Sequence, residues 1–85
     1  PEMVLPESAH AAFHKAAHLF GIRVRKTPVR ADWTADVDAM ADSVNANTVL
    51  VVGSAPQYPQ GVIDPIPDIA AVAARVGANC HVDAC

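Results

Sequence analysis

Charge is scarce in this chain: Asp, Glu, Lys and Arg make up 18% of its 85 residues, against a hydrophobic share of 52%. A small free-standing domain has a large surface to cover with polar groups, so this composition reads as the interior of something larger. The formal net charge of −3 lacks the basic footprint of a nucleic-acid binder. No apolar run approaches the roughly 18 residues of a membrane span, and no signal-peptide pattern is visible. Cysteine occurs only at Cys80 and Cys85. Along an extended segment those two are too far apart to bridge. Free thiols suit a reducing, cytoplasmic setting, with a membrane anchor outside this segment left open. An initiator Met is also lacking. The chain opens on Pro1 and stops at Cys85, and it is read as part of a longer enzyme.

Several catalytic signatures are missing too. Gly53-Ser54-Ala55 matches neither the Gly-x-Gly-x-x-Gly turn nor the Gly-Lys-Ser/Thr phosphate loop. Gly-x-Ser-x-Gly is absent as well, so the hydrolase elbow is not supported. His10, His14 and His18 recur every four residues, a spacing that brings two ligands to a metal. Ala11 follows His10, however, so the His-Glu-x-x-His motif is absent. His14 and His18 are read as solvent-side residues, and no metal site is expected. Cys80, His81, Asp83 and Cys85 would alternate across a strand and match no zinc spacing. Buried small residues are the preferred reading of both thiols.

What is present is an alternation of strand and helix patterns. Met3-Val4-Leu5, closed by Pro6, reads as the end of a strand. Ser8 is the expected N-cap of a helix over residues 8–20. Ala9, Ala12, Phe13, Ala16, Ala17 and Phe20 form its apolar face, and Gly21 its stop. Ile22 to Arg25 alternates apolar and basic residues, as a half-exposed strand does. The basic cluster Arg23, Arg25, Lys26 and Arg30 reads as the solvated side of an edge, with phosphate binding the weaker alternative. Thr34 or Asp36 opens a second helix buried through Val37, Met40, Ala41 and Val44, and Asn45 and Asn47 close it. Thr48 to Val52 is a continuous apolar run, which predicts a strand buried on both faces. A loop from Gln57 to Asp64 follows, of the kind that carries function. Asp64-Pro65 reads as cap and first turn of a third helix, with Ile69, Val72, Ala73 and Val76 inward. Asn79 to Asp83 is the last strand. This order predicts α/β layering around a mainly parallel sheet, in one domain.

In such sheets, ligands bind beyond the carboxyl ends of the strands. Asp83 therefore qualifies as a cofactor contact, but equally as the cap of a following helix. Position alone leaves the two readings even. His10, in the first turn of its helix, lies next to the region where strand ends and ligands meet.

Three stretches carry a resemblance: Glu7-Ser8-Ala9-His10-Ala11-Ala12-Phe13, the run from Asn47 through Gly53-Ser54-Ala55-Pro56 to Gly61-Val62-Ile63-Asp64-Pro65-Ile66, and His81-Val82-Asp83-Ala84-Cys85. They resemble the sphingosine-1-phosphate lyase branch of the pyridoxal-phosphate-dependent group II decarboxylases, over almost the whole chain. His-Val-Asp-Ala belongs to the wider group, and the Gly-Ser-Ala-Pro…Gly-Val-Ile-Asp-Pro loop points to the lyase branch. The resemblance implies residues 1–85 are part of a single large domain of a fold-type I enzyme, mainly parallel sheet with flanking helices, binding pyridoxal 5'-phosphate.

It further implies that His10 stacks on the pyridoxal ring and that Asp83 pairs with the pyridine nitrogen. Cys85 packs on the opposite ring face, Ser54 lies near the cofactor, and His81 supports the site. A carboxylate against the nitrogen keeps its proton on, which an electron sink requires. The implied reaction cleaves a phosphorylated sphingoid base to a fatty aldehyde and phosphoethanolamine, in a homodimer. Decarboxylation of an amino acid, glutamate or aromatic, is the alternative, and a non-catalytic interaction domain is the alternative of another class. The family's Schiff-base lysine is expected beyond Cys85, and its phosphate loop before Pro1. Lys15 and Lys26 stand in the wrong contexts, so the segment alone is expected to be inactive.

Overall fold

The four strand-like segments assemble into one all-parallel sheet. The computed structural model describes all 85 residues, Pro1–Cys85. Its elements are β1 (Glu2–Pro6), α1 (Ala12–Phe20), β2 (Arg23–Thr27), α2 (Val37–Ser43), β3 (Thr48–Ser54), α3 (Ile66–Arg75) and β4 (Asn79–Asp83). The strand order is β2-β1-β3-β4, with every neighbouring pair parallel. The chain winds outward from β1 to β2, returns across β1 to β3, and continues to β4. Right-handed crossovers that travel in opposite directions place their helices on opposite faces. Accordingly Met3, Leu5 and Val52 form one core cluster with Phe13 of α1. Val4, Val51, Met40 and Ile69 form the other, under α2 and α3. Each such side chain, once fully buried, stabilises the fold by about 1.5–3 kcal/mol.

Several boundaries depart from the pattern-based expectation. The first helix begins at Ala12, not at residue 8. Ser8 lies in the preceding turn, and its buried hydroxyl has no hydrogen-bond partner, so it caps nothing. The His10 imidazole does that work instead, with Nδ1 accepting from the Ala12 N–H at 3.1 Å. Phe20, expected inward, is 75% exposed, and Ala12 is exposed as well. The helical phase was right, but α1 stands alone on its face and no second helix covers its flank. β2 lies at the sheet edge, as the basic cluster suggested, but runs Arg23–Thr27 and leaves Ile22 outside. In the second helix Asp36 is the cap, accepting from the Ala39 N–H at 3.1 Å, and the helix ends at Ser43, before Asn45 and Asn47. Buried Val51 and Val52 bear out the two-sided strand, although Val49 near its start is exposed.

Asp64 is the largest departure. It is 2% exposed and does not cap α3, which starts at Ile66. Its carboxylate is taken up elsewhere, so neither oxygen is left for the first turn of α3. Its Oδ2 accepts the Ser54 N–H and its Oδ1 the Ala35 N–H, both at 2.9 Å. Its own N–H donates to the Ser54 carbonyl at 2.9 Å. One carboxylate thus joins the end of β3, the approach to α2 and the start of α3. Gly53 beside it admits α3 closely: a Cβ there would lie 2.8 Å from the Cδ1 atoms of Ile66 and Ile69.

At the opposite end of the sheet, buried Glu2 accepts from Arg25 Nε at 2.8 Å and from Asn45 Nδ2 at 2.7 Å. Arg23 stands 3.9 Å away. The Arg25 bond foremost, then the Asn45 bond, holds the Glu2 carboxyl below its ordinary value of 4.5.

Two tests follow from these carboxylates. Asp64→Ala leaves two buried N–H groups without acceptors and should lower unfolding stability by about 3 kcal/mol, read from urea melts. Asp64→Asn, which keeps one acceptor oxygen, should fall between the two. A depressed folded-state value makes the Glu2 contribution complete above the unfolded value and lost as pH falls through the folded one. The stability gap between the wild type and Glu2→Gln should therefore be constant above about pH 5 and close progressively below pH 4.5. A gap that stays open in acid would show that Glu2 acts by shape alone.

Candidate functional site

The reversal of winding between β1 and β3 makes a topological switch point, where two crossovers leave in opposite directions and open a crevice beyond the carboxyl strand ends. Residues following those strands are the ones able to reach it. Chain leaving β1 carries His10, chain leaving β3 carries Gln57 and Tyr58, and β4 ends on Asp83 followed by Cys85.

These residues share a cavity. A space of about 430 Å³ is lined by His10, Pro56, Gln57, Tyr58, Asp83 and Cys85. An adjoining space of about 250 Å³ is lined by His10, Ala12, Phe13, Asp83 and Cys85. Ligand pockets run about 300–1,000 Å³. A larger groove of about 600 Å³ lies between α2 and α3, beside Arg30, Asp38, Asp68 and Arg75. It is on the far face of the sheet and receives none of the expected site residues.

Of those expected residues, His10, Asp83 and Cys85 meet at the cavity wall. Ser54 is buried and stands opposite Asp83 in the strand register, and the Ala55 N–H donates to the Asp83 carbonyl at 2.9 Å. The Ser54 backbone, bonded twice to Asp64, anchors the end of β3 beside Asp83, but neither Ser54 nor His81 lines the cavity. His81 meets Phe13 edge-on, with ring centroids 5.7 Å apart and planes at 63°. It thereby touches α1 two residues before Asp83, although its side chain is exposed. His14 and His18 are exposed and outside the cavity. Cys80, by contrast, packs against the α2–α3 core, and that burial pushes its thiol above the ordinary value. Both thiols are free. No helix is long and apolar enough to cross a membrane.

Three contributors escaped the sequence reading. Asp64 before Pro65 has the pattern of a cap and first turn, and only the folded chain shows its oxygens turned to the Ser54 and Ala35 N–H groups. Gln57 and Tyr58 were read only as loop. Gln57 is 1% exposed, and its Nε2 donates to the Trp33 carbonyl at 3.3 Å and to Gln60 Oε1 at 3.2 Å, while its Oε1 accepts the Gln60 N–H. Tyr58 meets His10 with centroids 5.9 Å apart and planes at 84°. Pattern alone gives no signal for either, because both depend on a turn brought close by tertiary folding.

Comparison with known proteins shows the family. Residues 2–85 match the family described as aminotransferase class-V. Sphingosine-1-phosphate lyase 1 of Rattus norvegicus is 51% identical over 85 residues, all of this chain and 15% of that protein. A probable L-aspartate decarboxylase of Halobacterium salinarum is 49% identical over 82 residues, 96% of this chain and 23% of that one. Among solved structures, sphingosine-1-phosphate lyase of Burkholderia pseudomallei superposes with a TM-score of 0.93 at 48% identity, covering 96% of this chain and 19% of that one. The chain thus spans about a fifth or less of the length of these lyases. With its parallel sheet, flanking helices and switch-point cavity, the chain belongs to the aminotransferase class-V family, among the fold-type I pyridoxal-phosphate enzymes related to sphingosine-1-phosphate lyase.

Proposed function

We propose that this chain forms one wall of the cofactor site in a lyase that cleaves a phosphorylated sphingoid base to a fatty aldehyde and phosphoethanolamine. The observation that carries this reading is the convergence of His10 and Asp83 on one cavity at the carboxyl ends of the strands, in a chain about half identical to the rat lyase along its full length.

The residues present fit pyridoxal 5'-phosphate. A planar cationic heterocycle needs a flat face to lie against and an acid at its ring nitrogen, and the cavity offers an imidazole and a carboxylate. When bound, the cofactor supplies an electron sink for the carbanion left by bond cleavage. Asp83 would hold the proton on the ring nitrogen, since a carboxylate beside a base favours its protonated form. Its place at a strand end, where its carbonyl accepts the Ala55 N–H, holds the backbone that presents it. His10 would orient the ring, so that the breaking bond is aligned before reaction. Cys85 would face the ring from the other side and exclude water. Ser54 would anchor the strand end beside Asp83. His81, in contact with Phe13, would stiffen the strand that presents Asp83. The homodimer expected from the resemblance belongs to the same proposal and is read from the mass of the protein in solution.

Amino acid decarboxylation is the second reading, favoured by the 49% identity to the probable L-aspartate decarboxylase. Both reactions need the same wall, so the wall cannot choose between substrates. Assay of the purified full-length protein with a phosphorylated sphingoid base and with L-aspartate separates them: aldehyde release supports the lyase, and carbon dioxide release supports the decarboxylase.

The site assignment has its own test. Asp83→Ala should lower kcat about 100-fold or more, near 3 kcal/mol of transition-state stabilisation, while cofactor is still retained. His10→Ala should weaken cofactor retention and slow turnover, whereas His14→Ala and His18→Ala should change neither. Undiminished turnover in Asp83→Ala would remove that residue from the site. Equal damage from all three histidine changes would point instead to a role for the whole helix face.

A further inference from the structure

The first turn of α1 is closed by a group that can take up a proton. The His10 carbonyl accepts the Phe13 N–H at 3.1 Å, and His10 Nδ1 accepts the Ala12 N–H at 3.1 Å. Backbone and side chain thus act together, as they do in a residue that caps a helix. The usual capping side chains are Ser, Thr, Asn and Asp, whose oxygens remain acceptors in neutral and mildly acid solution. An imidazole does not. Histidine changes charge between about pH 5 and pH 8, and an imidazolium has two N–H donors and no acceptor. Nothing stands in reserve at this helix start. Its first turn has no acidic residue, and the buried Ser8 hydroxyl makes no hydrogen bond.

A proton on that ring also bears on the cavity. His14 lies one turn along α1, Tyr58 meets the imidazole from the loop after β3, and Asp83 and Cys85 share its cavity from the end of β4. Asp83 is the carboxylate among these groups. It attracts an imidazolium when no cofactor is bound. With pyridoxal 5'-phosphate in place, Asp83 is matched to the ring-nitrogen proton, and His10 lies against a cationic ring. The cap, the positive end of the α1 dipole and the cationic ring then all favour the neutral imidazole. With Nδ1 accepting, that neutral ring carries its proton on Nε2.

We propose that His10 is a proton-sensitive latch: one neutral imidazole closes the first turn of α1 and presents its face to the cofactor, and proton uptake at Nδ1 releases both together. This rests on the reading of the cavity as a pyridoxal-phosphate site. The Ala12 N–H and a proton compete for the same lone pair of Nδ1. Proton uptake is therefore favoured wherever that bond is absent, and the latch is closed in neutral solution and opens as the medium turns acid. Cofactor affinity and order at the start of α1 should fall in the same pH window.

The test titrates the full-length protein with pyridoxal 5'-phosphate at steps from about pH 8 to about pH 5, beside two variants. His10→Phe keeps a flat ring that neither caps nor takes up a proton. His10→Asn keeps a capping oxygen that does not change charge. The cofactor has protons of its own, so wild type and variant are compared at each pH. Across the range, wild-type affinity should fall about 10-fold more than that of His10→Phe, because one competing proton weakens binding by up to about tenfold per pH unit. Hydrogen exchange in a peptide spanning Ala9 to Ala16 is the second readout. Relative to His10→Asn at the same pH, wild-type protection should be steady near the upper end and drop about 3- to 5-fold at the lower, the worth of a lost cap. Equal pH dependence of affinity in wild type and His10→Phe would overturn the latch and leave the cofactor reading standing. A protection ratio that stays flat while affinity falls would show the proton acting on the ring contact alone, and would overturn the link to the cap. A wild-type protein that takes up no pyridoxal 5'-phosphate in neutral solution would bring down the cofactor reading and this proposal together.

Discussion

A carboxylate buried without a cation beside it is costly unless hydrogen-bond donors surround it. Asp64 is buried in that way, and its oxygens take the Ser54 and Ala35 N–H groups. The donors come from segments 29 and 10 residues away in sequence, so the carboxylate links separate parts of the chain. Its backbone returns a bond to Ser54, and the end of β3 is fixed by donor and acceptor alike. Ser54 stands opposite Asp83 in the sheet register. The position of the candidate cofactor carboxylate therefore depends on the satisfaction of another carboxylate that never reaches the cavity. Gly53 contributes by having no side chain, which lets α3 seat its first turn against the strand.

Topology decides where the cavity opens. Parallel strands all point their carboxyl ends the same way, and the reversal at β1 and β3 leaves a gap between departing crossovers. Residues separated widely in sequence, His10, Tyr58 and Asp83, become neighbours because each follows or ends one of three adjacent strands. One face of the sheet carries α2 and α3, the other α1 alone. The less crowded face is the one with the cavity, and His81 and Phe13 fill the space between β4 and α1 there. Layering thus supplies both rigidity, from the doubly covered side, and room, from the other.

Much of this was legible beforehand. Strand and helix existence followed from hydrophobic period, because buried faces impose it directly. β4 was read with its observed limits, Asn79–Asp83, since a short apolar segment between Gly77 and a terminal acid has few other options. His10 and Asp83 were named because strand ends and helix starts are where parallel sheets hold ligands. Helix starts were less legible. Ser8 has the chemistry of a cap, yet the chain spends that residue in a turn and caps α1 with an imidazole. Asp64 was misread for a related reason: Asp before Pro is a turn former, but only the folded molecule shows which N–H groups its oxygens meet. Strand order was not predicted at all, because pairing between distant segments leaves no local periodicity.

His10, His14 and His18 illustrate how a regular spacing divides. Spaced four apart, they form one stripe that drifts around a helical wheel, and the sequence sets His10 apart only by its place at the helix start. The structure places the helix start between them: His10 lies before Ala12, outside the regular turns, and His14 and His18 lie within. Only a residue ahead of the first turn can offer its side chain to an unpaired helix N–H, and only His10 does so. That bond orients the imidazole while satisfying the helix, so one contact serves stability and site geometry at once. Replacing His10 with Ala removes both. A loss of cofactor affinity in such a variant therefore contains a helix-capping share, which the change in helix stability measured on the same variant separates from the loss of the ring contact.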